Sequence, residues 1–98
     1  GSRGWGEIML QILKRRECGL GWATDVLLPR CLRAEELRQL ALAHQGGYRQ
    51  FGNLVWIDVP GGRITASLVA CRLTMRLGSA AAEEAFRESL IQVLSGSG

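Results

Sequence analysis

Three residue types in this sequence could carry chemistry: cysteines, a histidine and scattered carboxylates. The cysteines are Cys18, Cys31 and Cys71, and His44 is the single histidine. A nucleophile–histidine pair would need His44 beside Cys18 or Cys31, and nothing local in the sequence argues for that pairing. His44 falls near a predicted helix C-terminus, where the helix dipole favours a partly charged imidazole, so its expected role is structural. No cysteine pair has the C-x-x-C spacing of a zinc site. An odd, sparse set is not a secreted disulfide framework, so all three are read as reduced thiols in a cytoplasmic protein. Cys71 lies within an apolar stretch and is read as a small core residue.

The carboxylates form no constellation. Glu35 and Glu36 are neighbours in sequence, as are Glu83 and Glu84, and adjacent helix positions do not face each other. Asp25 and Asp58 would serve as metal ligands or general acids only if the fold brought them together. Gly61–Gly62 lacks the spacing of a phosphate loop, and Gly19-x-Gly21 lacks the third glycine of a dinucleotide fingerprint. No catalytic residue, metal or cofactor is therefore assigned, and the chain is read as non-enzymatic.

The elements that position these residues follow from hydrophobic period. Glu7–Leu13 reads as a strand followed by a charged exit over Lys14–Glu17. Asp25–Leu28 reads as a second short strand or the tail of an irregular stretch, ended by Pro29. Arg33–His44 reads as a helix, with Leu37, Leu40, Ala41 and His44 on one face and a glycine C-cap at Gly46–Gly47. Tyr48–Val59 reads as a strand, with Val55, Ile57 and Val59 on one face and Leu54, Trp56 and Asp58 on the other. Pro60-Gly61-Gly62 is a turn signal, and Ile64–Leu77 reads as one long strand. Residues 54–59 and 64–77 thus form a predicted hairpin. Ser79 is an N-cap for a helix whose stripe is Ala82, Phe86, Leu90 and Val93, with Ala85 and Leu94 beside it.

The predicted order is strand, helix, strand, strand, helix. It implies a two-layer α+β sandwich with a mainly antiparallel sheet and both helices on one face. The order matches most of the split βαβ pattern of ferredoxin-like folds, with the closing strand missing. Residues 3–94 form the expected single domain. Residues 1–2 and 95–98 are read as remnants of recombinant expression.

The bulk properties agree with one domain. The chain has 98 residues, 47% of them hydrophobic and 21% charged, which excludes disorder. Its apolar runs fall well short of the roughly 18 residues a membrane helix needs, and no signal-peptide pattern opens it. The net charge is +3. Lys14 is the only lysine, so arginine supplies the excess. A mild basic balance suits an acidic partner, nucleic acid included.

The feature that says most is the sheet face opposite the helices. Leu54 and Trp56 are expected there beside Arg72, Thr74 and Arg76. Tryptophan and arginine are favoured anchors of protein interfaces, and aromatics among arginines on an open sheet also stack RNA bases. Leu54, Trp56, Arg72 and Arg76 are the candidate binding residues. The expected partner is a protein or another part of the same full-length chain, with RNA as the alternative.

One family likeness bears on this. The segments Arg49-Gln50-Phe51-Gly52-Asn53-Leu54-Val55, Gly61-Gly62-Arg63 and Leu68–Arg72, with the helix Ala82–Leu94, resemble degenerate GGDEF domains, the inactive relatives of bacterial diguanylate cyclases. The resemblance spans about two thirds of the chain and is similar to the hairpin region of regulators of exopolysaccharide secretion. It implies a palm-like scaffold used for protein contact. Active members carry two carboxylates after the paired glycines. Here Arg63-Ile64-Thr65 follows instead, so no cyclase activity is implied. Where such relatives keep an Arg-x-x-Asp nucleotide site, Arg49 is followed at that spacing by Gly52, with Asn53 one place later.

Overall fold

The computed structural model describes residues 10–17 and 21–96. The first part of the expected strand at Glu7–Leu13, together with Cys18 and Gly19, lies outside them. The elements run β1 (Gln11–Glu17), β2 (Gly21–Leu27), α1 (Ala34–Ala43), β3 (Gly47–Phe51), β4 (Leu54–Val59), β5 (Gly62–Ser67), β6 (Arg72–Leu77) and α2 (Ala80–Gly96). The fold is α+β, a six-stranded sheet with two helices, in the order β1-β2-β6-β5-β4-β3. Every neighbouring pair is antiparallel. A split βαβ unit has a crossover between parallel strands, so the ferredoxin-like order gives way to a hairpin, a helix, a four-strand meander and a helix. No helix among the described residues is long and apolar enough to cross a membrane.

The extra strands come from two turns inside runs that read as continuous. Gly52, at φ 60°, opens a two-residue loop between Phe51 and Leu54. A glycine with positive φ in that first position is what a type II′ hairpin turn requires. The expected strand Tyr48–Val59 is therefore β3 and β4. The expected strand Ile64–Leu77 breaks likewise at Leu68–Cys71. There the Ser67 hydroxyl accepts hydrogen bonds from the Val69 and Ala70 N–H groups, at 3.2 and 3.0 Å. Cys71 leaves this turn at φ 53°. At the other end, the Lys14–Glu17 exit belongs to β1, and β2 begins before Asp25.

Both helices cover one face of the sheet, and the core lies between the layers. Val26, Val55, Ile57, Ile64, Ala66, Leu73 and Met75 meet Leu37, Leu40 and Ala41 of α1 and Phe86, Leu90 and Leu94 of α2. Of the residues read for the α2 stripe and its margin, Phe86, Leu90 and Leu94 are buried, Ala82 and Val93 are half-buried and Ala85 is exposed. That helix continues through Ser95, whose hydroxyl donates to the Ile91 carbonyl, and ends at Gly96. The end of α1 differs from the reading. Gln45, not a glycine, takes the left-handed position at φ 56°. Gly46 N–H bonds the Ala41 carbonyl and Gln45 N–H that of Leu42, the paired bonds of a Schellman cap. Gly46 is needed for space instead, because a Cβ there would press on Val59 and on the Asp58 carbonyl.

Cys31 and Cys71 are joined by a disulfide. This corrects the reading of those two residues as reduced thiols, and Cys71 lies in the β5–β6 turn rather than in a strand. The bond ties the segment before α1 to that turn, beside the Leu28 N–H to Cys71 carbonyl hydrogen bond of 2.9 Å.

The start of α1 is held by Glu36, which is buried. Its carboxylate takes two bonds from the Arg30 guanidinium, at 3.0 and 2.8 Å, and one from the Arg33 N–H at 2.9 Å. The Arg30 bonds hold the Glu36 carboxyl below its ordinary range, outweighing burial, with the Arg33 N–H adding to them. A carboxylate with a depressed folded-state pKa stabilises the fold above the ordinary carboxylate range, and that stability is lost as pH falls through and below it. Arg30 is partly exposed, so solvent screening limits the effect. Glu36→Gln is expected to cost about 1–2 kcal/mol at pH 7 in urea unfolding. That difference should be smaller near pH 3, below the ordinary carboxylate range, where the stability contributed by the charge is being lost. An equal loss at both pH values would contradict this role for the charge.

Candidate functional site

Strand register fixes what the uncovered sheet face presents. Leu54 is opposite Ser67, which is opposite Arg72, which is opposite Leu27. The next row is Trp56, Thr65, Thr74 and Asp25, and the next is Asp58, Arg63 and Arg76. Leu54, Trp56, Arg72 and Arg76 therefore share this face. They are not side by side, because β5 runs between β4 and β6. With strands spaced about 4.8 Å apart, Trp56 and Thr74 stand about 10 Å apart. The reading that put Trp56 beside Arg72 and Arg76 is corrected to that extent. The cause is the unrecognised turn at Leu68–Cys71.

The closest neighbours of Trp56 come from β3. The rings of Phe51 and Trp56 lie 4.9 Å apart at an interplanar angle of 53°, and the Arg49 guanidinium is 5.8 Å from the Trp56 ring centroid. Arg49 also bonds Asp58 at 2.9 Å, and Arg63 bonds the other Asp58 oxygen at 2.6 Å. Arg63 foremost, with Arg49 behind it, draws the Asp58 carboxyl below its ordinary range. The aspartate thus holds two guanidinium groups in place beside the aromatic pair. Sequence reasoning missed Phe51, Arg49 and Arg63. The signal that would have found them is Gly52–Asn53: a two-residue turn there puts Phe51 and Arg49 on the Leu54 and Trp56 face.

Along β3–β6 this face carries Arg49, Arg63, Arg72 and Arg76 against one carboxylate, Asp58. Two large apolar side chains stand out of it, Phe51 at 56% exposure and Leu54 at 45%. The face is thus apolar at the β3–β4 corner and basic across β5 and β6.

The residues weighed for catalysis are dispersed. Asp25 is on β2, where it accepts a 2.6 Å hydrogen bond from Thr74, while Asp58 is on β4, three strands away. His44 packs against Phe86 with ring centroids 5.0 Å apart, and its Nε2 is 2.9 Å from the Ser89 hydroxyl. It joins the end of α1 to α2. Cys31, bonded to Cys71, is not a free thiol. Among the described residues no group of three or more His, Cys, Asp or Glu side chains could hold a metal ion. A groove of about 480 Å³ runs between the helices and is lined by Arg33, Glu36, Gln39, Ser89 and Gln92 among others. It holds neither His44 nor a cysteine. Comparison of the chain with protein-family models, curated proteins and solved structures finds no match.

Proposed function

We propose that this chain is a non-enzymatic regulatory or assembly domain that acts by protein–protein contact through the open face of its sheet. The observation that carries the reading is the pairing of features on that face. Helices cover one side of the sheet. The other side sets Leu54, Phe51 and Trp56 beside a field of four arginines. Large aromatics flanked by arginine are the side chains that dominate interface energies. Leu54, Trp56, Arg72 and Arg76 are the contact residues of this proposal, and Phe51 and Arg49 support Trp56 from the next strand.

The test is a double substitution. Trp56→Ala with Arg72→Ala should leave the circular dichroism spectrum and melting temperature near those of the parent. It should weaken binding of a purified partner at least about tenfold, since each such anchor is worth about 2 kcal/mol or more. A folded double variant that binds as the parent does would remove this surface from the proposal.

A second reading is favoured by one observation. The Arg49–Trp56–Phe51 cluster has the make-up of a base-stacking platform, so the face suits RNA. Salt separates the readings: phosphate contacts lose affinity steeply with added salt through counterion release, and an apolar contact does not. The likeness to degenerate GGDEF domains belongs to the first reading through its contact role alone. The expectation of a cytoplasmic protein rested on reduced cysteines. The Cys31–Cys71 bond removes that ground and supports an oxidising compartment.

A further inference from the structure

We infer that the free edge of β3 takes up an extended, acidic segment of the partner as a seventh strand. This rests on the protein-contact reading and names the form and charge of what is bound.

Among the described residues β3 is the last strand of the sheet, beyond β4. Residues flanking a two-residue hairpin turn are a hydrogen-bonded pair, and such pairs alternate along an antiparallel ladder. Phe51, Arg49 and Gly47 therefore direct their backbone groups at β4. Tyr48 and Gln50 direct their N–H and C=O groups outward. Edge strands are commonly guarded by lysine, proline or a bulge. β3, Gly-Tyr-Arg-Gln-Phe, has none of these. Its one charge, Arg49, is held by Asp58.

Both flanks of this edge suit an alternating apolar and acidic chain. On the open-face side stand Phe51 and Arg49. On the helix side Arg38 lies over the Tyr48 ring, 5.1 Å from its centroid. Leu42, one helical turn after Arg38 and on the same side of α1, is 73% exposed. An added strand points successive side chains to opposite faces, so each flank meets every second residue. Main-chain bonds to Tyr48 and Gln50 would hold the segment, and the flanking arginines would select for carboxylates.

The probe is a fluorescein-labelled peptide of alternating valine and glutamate, with its valine–lysine counterpart as control, titrated into the full chain. Backbone amide NMR is read alongside. The substitution Gln50→Pro removes one outward N–H while leaving the β4 side of the ladder intact, since proline is tolerated at an edge facing solvent. Gln50→Ala retains the donor. The expected result is binding of the glutamate peptide only, with amide shifts centred on Tyr48 and Gln50. Affinity should be at least about tenfold lower in Gln50→Pro and near the parent's in Gln50→Ala. Shifts confined to Trp56, Arg72 and Arg76, with Gln50→Pro binding as the parent, would overturn the edge mode and leave the face reading standing. Binding of neither peptide, or of both equally, would also overturn it. So would concentration-dependent dimerisation that Gln50→Pro abolishes, because the edge would then belong to a second copy.

Discussion

Reducing the Cys31–Cys71 bond, or replacing both cysteines by serine, is expected to lower the melting temperature by about 15 °C or more. The bond closes a loop with a sequence separation of 40. Cross-linking a loop of that length restricts the unfolded chain by about 4 kcal/mol in the chain-entropy account. In a chain of this size each kcal/mol moves the midpoint by about 4–8 °C. Leu32, next to Cys31 in sequence, is buried, and one backbone hydrogen bond joins Leu28 to Cys71. Calorimetry with and without reductant measures the effect. A reduced protein that melts together with the oxidised one would mean that those contacts hold the join unaided.

The second large effect is expected at Phe86. Its side chain is 1% exposed and lies among core residues from both helices and the sheet. It also provides the ring against which His44 packs. Phe86→Ala should cost about 4 kcal/mol, a lost transfer term plus a cavity the rigid layers cannot fill. Phe86→Leu, which keeps most of the volume, should cost closer to about 1.5 kcal/mol. Urea unfolding of the two variants gives both numbers. If Phe86→Ala costs no more than Phe86→Leu, the space between α2 and β6 collapses without it, and the core is softer than its burial implies.

The helices and the faces of β4 and β6 were legible in the sequence because each rests on a local period. Phe86, Leu90 and Leu94 recur at helical spacing, and Val55 and Ile57 alternate as a half-buried strand does. Two turns were not legible, and both were hidden by apolar residues. Val69 is apolar yet 67% exposed at the tip of the β5–β6 turn, and it extends the pattern across a break. A change of parity marks that break. Ile64 and Ala66 face the helices from even positions, whereas Leu73 and Met75 do so from odd ones. An unbroken strand cannot do both. The same shift at Gly52–Asn53 separates Phe51 from Val55. Of the candidate face, Leu54, Trp56, Arg72 and Arg76 were assigned to the correct side, but the intervening strand and the Arg49–Phe51 flank depend on those turns. The disulfide had no local signature at all. Three cysteines allow several pairings, and only the tertiary fold brings Cys31 to Cys71.

The sheet order has a kinetic meaning. From β3 to β6 each strand pairs with its neighbour in sequence, so these contacts close short loops and form fast. The β1–β2 hairpin is equally local. The seam between the two parts is not, since Thr24 must find Met75 and Val26 must find Leu73. Closing that loop costs entropy before any ladder bond or core contact is gained. The meander is thus expected to form early, with the hairpin docking onto β6 afterwards. Cys31 follows β2 and Cys71 precedes β6, so the cross-link spans the contact that costs the chain the longest search.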